Sequence, residues 1–348
     1  KTIYDMQPST KVVATGSASP ALMKGNQESG AGRWSVIQVP TMSFYEYCEI
    51  LNVDRPELPS NLKITPLLNM TQQDRTKIMM QLSKVQKHFN RYLQVGGFPE
   101  LALADNDMLA QQVMREDVVD KVLKRDLPSL YNIRNAMELE RIFLYLCNVS
   151  SEIVSIEAIA KELSGVSRPT VENYIRYLES ANLIYQSWPV DMAGKKVLKA
   201  SPKIYIADAA IRNAVLMDES FLTDPVEMGK IVETAVFKHV AAFYYQLATS
   251  VGYYRGGRKN KEIDIVVDYP NIKNILIEVK YRESAPISDD DAISELCGEA
   301  SAAIIITKNA TDYGVHNTKD GKSMIRIPAF AFLYLLGHAE KNGYKVIG

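Results

Sequence analysis

The stretch that most constrains this chain is 259–282, KNKEIDIVVDYPNIKNILIEVKYR. Its two runs of Ile and Val, separated by a Pro/Asn turn near 269–274, predict a pair of short strands joined as a hairpin. Side chains alternate across a strand, so Glu278 and Lys280 share one face while Ile277 and Val279 point into a core. The turn brings Asp264 alongside. Two carboxylates and a lysine among Ile and Val are costly to bury without a use. They are also the set that metal-dependent phosphodiester hydrolysis needs. Asp264 and Glu278 supply hard oxygen ligands for Mg2+ or Mn2+, the cation polarises phosphate and activates water, and Lys280 positions that water or offsets developing charge. The plainer alternative is a structural ion pair between Glu278 and Lys280 in a domain kept for docking. Arg255, Arg258, Lys259 and Lys261, just upstream, are placed to meet a phosphate backbone.

The rest of the chain sets the context. Its 348 residues suffice for two or three domains, and 47% apolar with 23% charged residues excludes global disorder. The formal net charge of −1 means that any nucleic-acid contact must come from local patches. Cys48, Cys147 and Cys297 lie far apart in apolar surroundings, which predicts buried free thiols in a reducing cytoplasm. The four histidines have no ligand spacing, and no apolar run is long enough to predict a membrane span.

Taken in order, 11–17 reads as a buried strand ending in small residues, and 36–39 as another. Residues 41–135 read as helical. Ser43 and Glu46 form a capping box, a helix over 72–94 stops at Gly96-Gly97, and another spans 107–125. Residues 136–207 give helix, helix, short glycine turn, helix and hairpin, the order of a winged helix-turn-helix. Its third helix exposes Arg168 and Arg176 amid acidic residues, while Lys195, Lys196 and Lys199 make the hairpin tip basic. That leaves two partners open, DNA and protein. In the last part, the helix over 225–247 is apolar nearly all round, which singles out Glu233 within it. The hairpin, a crossover helix, the strand 302–307, a short strand at 325–327 and a terminal helix then make an α/β unit.

Together these pieces resemble the bacterial and archaeal AAA+-type ATPases that carry a winged helix and a C-terminal DUF4143 domain of restriction-endonuclease-like, PD-(D/E)xK type. VVATGSAS with the later GRW resembles the sensor strand and arginine loop of the ATPase core; SFYEYCEIL and VGGFPEL resemble motifs around its helical lid. TVENYIRYLESANLIYQ and KIYIADAAIRNAV resemble the winged helix and its exit, and KEIDIVV with IEVKYR resembles the nuclease motif. The resemblance implies an α/β multidomain chain. It is divided into an ATPase-core remnant (1–40), a helical lid (41–135), a winged helix (136–207) and a nuclease-like domain (208–348). It implies Thr15, Ser17 and Arg33 in nucleotide-sensing positions, and Arg168, Arg176, Lys195, Lys196, Arg258 and Lys259 as nucleic-acid contacts. Asp264 and Glu278 are implied as metal ligands, with Lys280 and Glu233 in the catalytic set. DNA, a protein partner or a second copy are the implied partners. No G-x-x-x-x-G-K-[ST] occurs in the chain, so ATP, the family's nucleotide, is not expected to bind it through a phosphate loop. The resemblance places the start of the chain downstream of that loop.

Overall fold

A computed structural model of the chain describes residues 37–163, 165–190, 201–217, 220–244, 248, 250–256, 261–269 and 273–343, with a few isolated positions before residue 14. The first described helix, α1 (Phe44–Ile50), begins at the expected capping box. Ser43 Oγ accepts from the Glu46 N–H, and the Glu46 carboxylate accepts from the Ser43 N–H at 2.8 Å. The helix expected over 72–94 is two helices, α2 (Gln72–Gln86) and α3 (Phe89–Val95). The expected helix over 107–125 runs on to Tyr131, and its middle, Met114–Asp120 and Val122–Asp126, is π-helical. Residues 37–39 of the strand expected over 36–39 are irregular.

Helix α4 (Ala136–Asn148) buries Leu139, Ile142, Phe143, Leu146 and Cys147, spaced three and four apart to make one face. There follow β1 (Glu152–Ile153), α5 (Ile156–Glu162), α6 (Arg168–Ser180), β2 (Ile184–Ser187) and β3 (Lys203–Ile206). Ser155 caps α5 and Ser167 caps α6, each through its hydroxyl. The strands form an antiparallel sheet in the order β1-β3-β2. Where a connector was expected, α7 (Ala209–Leu216) follows, capped by Asp208.

Helix α8 (Pro225–Tyr244) opens the last part, as expected. Then come β4 (Ser250–Gly256), β5 (Lys261–Asp268), β6 (Ile275–Lys280), the short α9 (Ala292–Leu296), β7 (Ala302–Thr307), β8 (Gly314–Asn317), β9 (Ser323–Pro328) and α10 (Ala329–Lys341). The sheet order is β4-β5-β6-β7-β9-β8, with β6, β7 and β9 parallel and the other pairs antiparallel. Strand alternation sorts its side chains into two cores. Ile265, Val267, Ile275, Ile277, Ile304, Ile306, Ile325 and Ile327 join the main core with α8 and α10. Val266, Leu276, Ala303, Ile305 and Met324 face the other way, onto Ile293 and Cys297.

Two seams tie the parts together. Helix α10 packs on α1, with the Tyr45 and Tyr334 rings 5.1 Å apart. Beyond β2, the chain reaches the edge of the larger sheet. The Val190 N–H donates to the Tyr253 carbonyl at 2.8 Å, and the Tyr253 N–H donates to the Trp188 carbonyl at 3.2 Å. This contact covers backbone that an edge strand would leave unpaired.

Candidate active site

The hairpin of β5 and β6 forms in regular antiparallel register, but the other edge of β5 is not a simple period-two ladder. Between β4 and β5 the register steps from Gly252↔Val266 to Tyr254↔Ile263, so two residues of β4 span three of β5. This bulge falls at Asp264 and Ile265, and bulges re-aim side chains beside functional sites. Asp264 turns to the neighbouring strand, where its Oδ2 accepts from the Val279 N–H at 2.9 Å. On β6, Glu278 and Lys280 share a face as expected, with Oε1 and Nζ 3.7 Å apart. Lys280 sits closer to Asp291, at 3.0 Å. Glu278 Oε2 is buried and makes no hydrogen bond within the protein. The structural pair between Glu278 and Lys280 is thus a loose one.

Asp264 Oδ1 faces a group that sequence reasoning did not single out. Lys203, at the head of β3 and 4% exposed, places Nζ 2.7 Å from Glu233, 2.8 Å from Glu262 and 3.1 Å from Asp264. The Tyr205 hydroxyl donates to Glu233 at 2.8 Å. The one signal for Lys203 was its place ahead of an apolar strand, KIYI, where a lysine needs a partner to be buried. Burial works against its charge, but Asp264, Glu233 and Glu262 together hold its pKa well above the ordinary lysine value. One ammonium shared among three carboxylates leaves Glu233 under-compensated. Burial, then the charge of Asp264, raises Glu233 to about 7. Burial and Asp264 also raise Glu278 well above the usual carboxylate range. Perturbed groups gathered in this way mark candidate functional sites.

Asp264, Glu278, Lys280 and Glu233 therefore lie in one charged cluster. Arg168 and Arg176 lie apart from it on α6. Arg168 is committed to Glu157 at 2.6 Å and Glu172 at 2.9 Å, and Arg176 bonds to Asn173. Thr15, Ser17, Arg33, Lys195, Lys196, Arg258 and Lys259 lie outside the described residues. For a divalent cation, the all-oxygen donors Asp264 and Glu278 and the partnerless Glu278 Oε2 have the right chemistry. No group of three or more His, Cys, Asp or Glu among the described residues is disposed to hold a metal ion. Lys203 Nζ takes the point on which Glu233, Glu262 and Asp264 converge.

A second buried ionic centre, built on α8 and the N-terminus of α7, went unread in the sequence. Lys238 Nζ donates to Asp208 Oδ2 at 2.8 Å, to the Met42 carbonyl at 2.9 Å and to the Tyr92 hydroxyl at 3.1 Å. Asp208 also accepts from Thr41 Oγ1 at 2.6 Å, the Gly97 N–H at 3.1 Å and the Ala210 N–H at 3.1 Å. Burial would raise the Asp208 carboxyl, but Lys238 together with the hydrogen bonds from Thr41 and Ala210 makes the net shift downward. Gly96 has φ +70°, and a Cβ on Gly97 would lie 2.2 Å from the Met42 carbonyl oxygen, so the turn of VGGFPEL admits only glycine there.

Three family models match the chain. An AAA domain matches residues 1–48, a domain of unknown function (DUF8612) matches 86–221, and a domain of unknown function (DUF4143) matches 228–330. The Asp208–Lys238 centre draws on all three matched segments: Thr41 and Met42 from the first, Tyr92, Gly97 and Asp208 from the second, and Lys238 from the third. The chain is 25% identical over 329 residues to Uncharacterized protein MJ1544 of Methanocaldococcus jannaschii, covering 92% of this chain and 67% of that one. It is 23% identical over 309 residues to an uncharacterized protein of Haemophilus influenzae, covering 82% and 69% respectively. A further relative, Uncharacterized protein MJ1637 of M. jannaschii, is 23% identical, and the chain covers 57% of its length. No solved structure matches the chain significantly. The AAA and DUF4143 matches support an AAA-like ATPase family. No helix among the described residues is long and apolar enough to cross a membrane.

Proposed function

We propose that this chain carries the effector end of an AAA-like ATPase, in which a winged-helix unit presents DNA to a metal-dependent phosphodiester hydrolase domain. The carrying observation is Glu278. Its Oε2 is buried and unpartnered beside Asp264, while the nearby Lys280 pairs more closely with Asp291. A purely structural carboxylate left so would cost about 1–3 kcal/mol for nothing. In this reading Asp264 and Glu278 hold Mg2+ or Mn2+, which when bound supplies Lewis acidity and an activated water. Lys280, oriented by Asp291, offsets charge developing on phosphate. Glu233, raised to about 7, is placed to exchange a proton near neutral pH. The helix–strand–helix–helix–hairpin order of 136–207 supports the winged-helix assignment. The test uses the full chain with single- and double-stranded DNA and either metal. Cleavage that disappears in Lys280→Ala is the expected result, and no cleavage of any substrate sinks the hydrolase.

A second reading, a non-cutting domain that docks protein partners or a second copy, is favoured by the Lys203 ammonium at the convergence of Glu233, Glu262 and Asp264. It expects Asp264→Ala to leave function intact, and ATP turnover in a longer chain bearing the phosphate loop to respond to a protein partner.

A further inference from the structure

We infer that a cleft between the α2–α3 turn and the carboxyl ends of β6, β7 and β9 binds a nucleoside monophosphate group. It uses no residue of the carboxylate cluster and goes beyond the hydrolase reading.

In open α/β sheets, ligands gather outside the carboxyl ends of the parallel strands, where the strand ends and the loops that follow them converge. Here β6, β7 and β9 are the parallel strands. Tyr281 follows β6, Lys308 follows β7 and Phe330 comes just after β9, and all three line one cleft of about 390 Å³. The opposite wall is Gln86, Lys87, Phe89 and Asn90, where α2 ends and α3 begins. The first wall belongs to the DUF4143 match and the second to the DUF8612 match, so the cleft lies on a seam between units. Seams are where small-molecule sites of this size are usually found. No lining residue falls in the AAA-matched segment, which separates the cleft from the ATPase core.

The lining contains two lysines and neither Asp nor Glu. Gln86, Lys87 and Asn90 are exposed, and their side chains make no hydrogen bond or ion pair with a described residue. Lys308 pairs with Glu283, whose side chain is 84% exposed. A pair so open to water is weak and yields to a better anion. A phosphate monoester carries about −1.5 to −2 charges at neutral pH, which two ammonium groups match. A triphosphate would find no further cation among the lining residues. Beside the lysines, the Phe89 and Tyr281 rings meet with centroids 6.4 Å apart. Such aromatic surface suits the face of a flat base. The amides of Gln86 and Asn90 each offer donors and an acceptor, as a base edge or ribose hydroxyls require. An apolar ligand would desolvate the ammonium groups without return, and bare phosphate would leave the rings unused.

The test is titration calorimetry on the full chain, on Lys87→Met and on Asn90→Ala, with melting curves of all three. The probes are adenosine monophosphate, adenosine, inorganic phosphate and a short DNA strand with and without a terminal phosphate. Adenosine monophosphate should bind with a Kd of about 1 mM or tighter, and adenosine and phosphate at least about tenfold more weakly. Lys87→Met should lose about tenfold in affinity at an unchanged melting temperature, the scale of one charged hydrogen bond. Stronger binding of the phosphorylated strand than of the free nucleotide, lost in Lys87→Met, would assign the group to a strand end. Absent nucleotide binding, or equal binding by wild type and both variants, overturns the site. Phosphate bound as tightly as the nucleotide overturns the nucleoside. DNA cleavage does not enter these outcomes, since neither variant touches the carboxylate cluster.

Discussion

Asp208 and Lys238 form a 2.8 Å ion pair with side chains only 2% and 4% exposed, and among the described residues each is the other's only oppositely charged partner within ion-pair distance. Buried pairs of this kind survive only when every remaining donor and acceptor is used. Here they are, by Thr41, Met42, Tyr92, Gly97 and Ala210.

Removing either partner strands a buried charge. Asp208→Asn and Lys238→Met should each cost about 3–5 kcal/mol, and the double variant clearly less than their sum. Urea unfolding of the four proteins of the cycle measures this. Simple additivity would show that the two groups act separately.

Gly97→Ala should be nearly as damaging, although it changes no charge. The added Cβ would lie 2.2 Å from the Met42 carbonyl oxygen and 2.8 Å from Lys238 Nζ, so the loop carrying Thr41 and Met42 must move. We expect a loss of about 3 kcal/mol, the upper part of the overpacking range. A melting temperature within a degree or two of wild type would contradict the close approach.

His239 gives the fold an acid sensitivity. Its Nε2 accepts from the Phe44 N–H at 2.9 Å, and its Nδ1 faces the Ala235 carbonyl at 2.7 Å, which fixes a neutral ring. Burial, then Lys238, lowers its pKa to about 3. A base depressed on folding contributes stability that is full above the unfolded value near 6.5 and is lost as pH falls toward the folded value. Between pH 6.5 and about 4.5, His239 should account for roughly 2–3 kcal/mol of lost stability. His239→Gln, though weaker at pH 7.5, should show a shallower decline; an unchanged slope in denaturant titrations would assign the sensitivity elsewhere.

Glu278→Gln should stabilise the metal-free protein. It removes a charge that burial and Asp264 both disfavour. We expect a gain of about 1 kcal/mol at pH 8 together with lost cleavage, the usual opposition of stability and activity at a working site. Destabilisation, read by urea midpoints, would point to a structural role for the carboxylate.

The reach of sequence reasoning varied with the range of the interactions involved. Ser43 with Glu46, the stop at Gly96, α8 and the strand Ala302–Thr307 were legible because caps, breakers and apolar runs act locally. The facing of Glu278 and Lys280 followed from strand periodicity alone. Asp264 was found, but its orientation was not, since the bulge that sets it exists only in the pairing of β4 with β5. Strand β8 was missed because GVHN carries little apolar signal. Lys203 and Lys238 looked like ordinary surface lysines. Their partners lie far along the chain, and the only local hint was the apolar run that follows Lys203.

The backbone bonds from 188–190 to Tyr253 also bear on how such chains can be inherited. Family boundaries between 221 and 228 suggest two exchangeable modules. A hybrid spliced there from distant relatives would bare the β4 edge and deprive three carboxylates of their ammonium. The workable unit of exchange keeps 184–206, Glu233 and 250–264 from one parent.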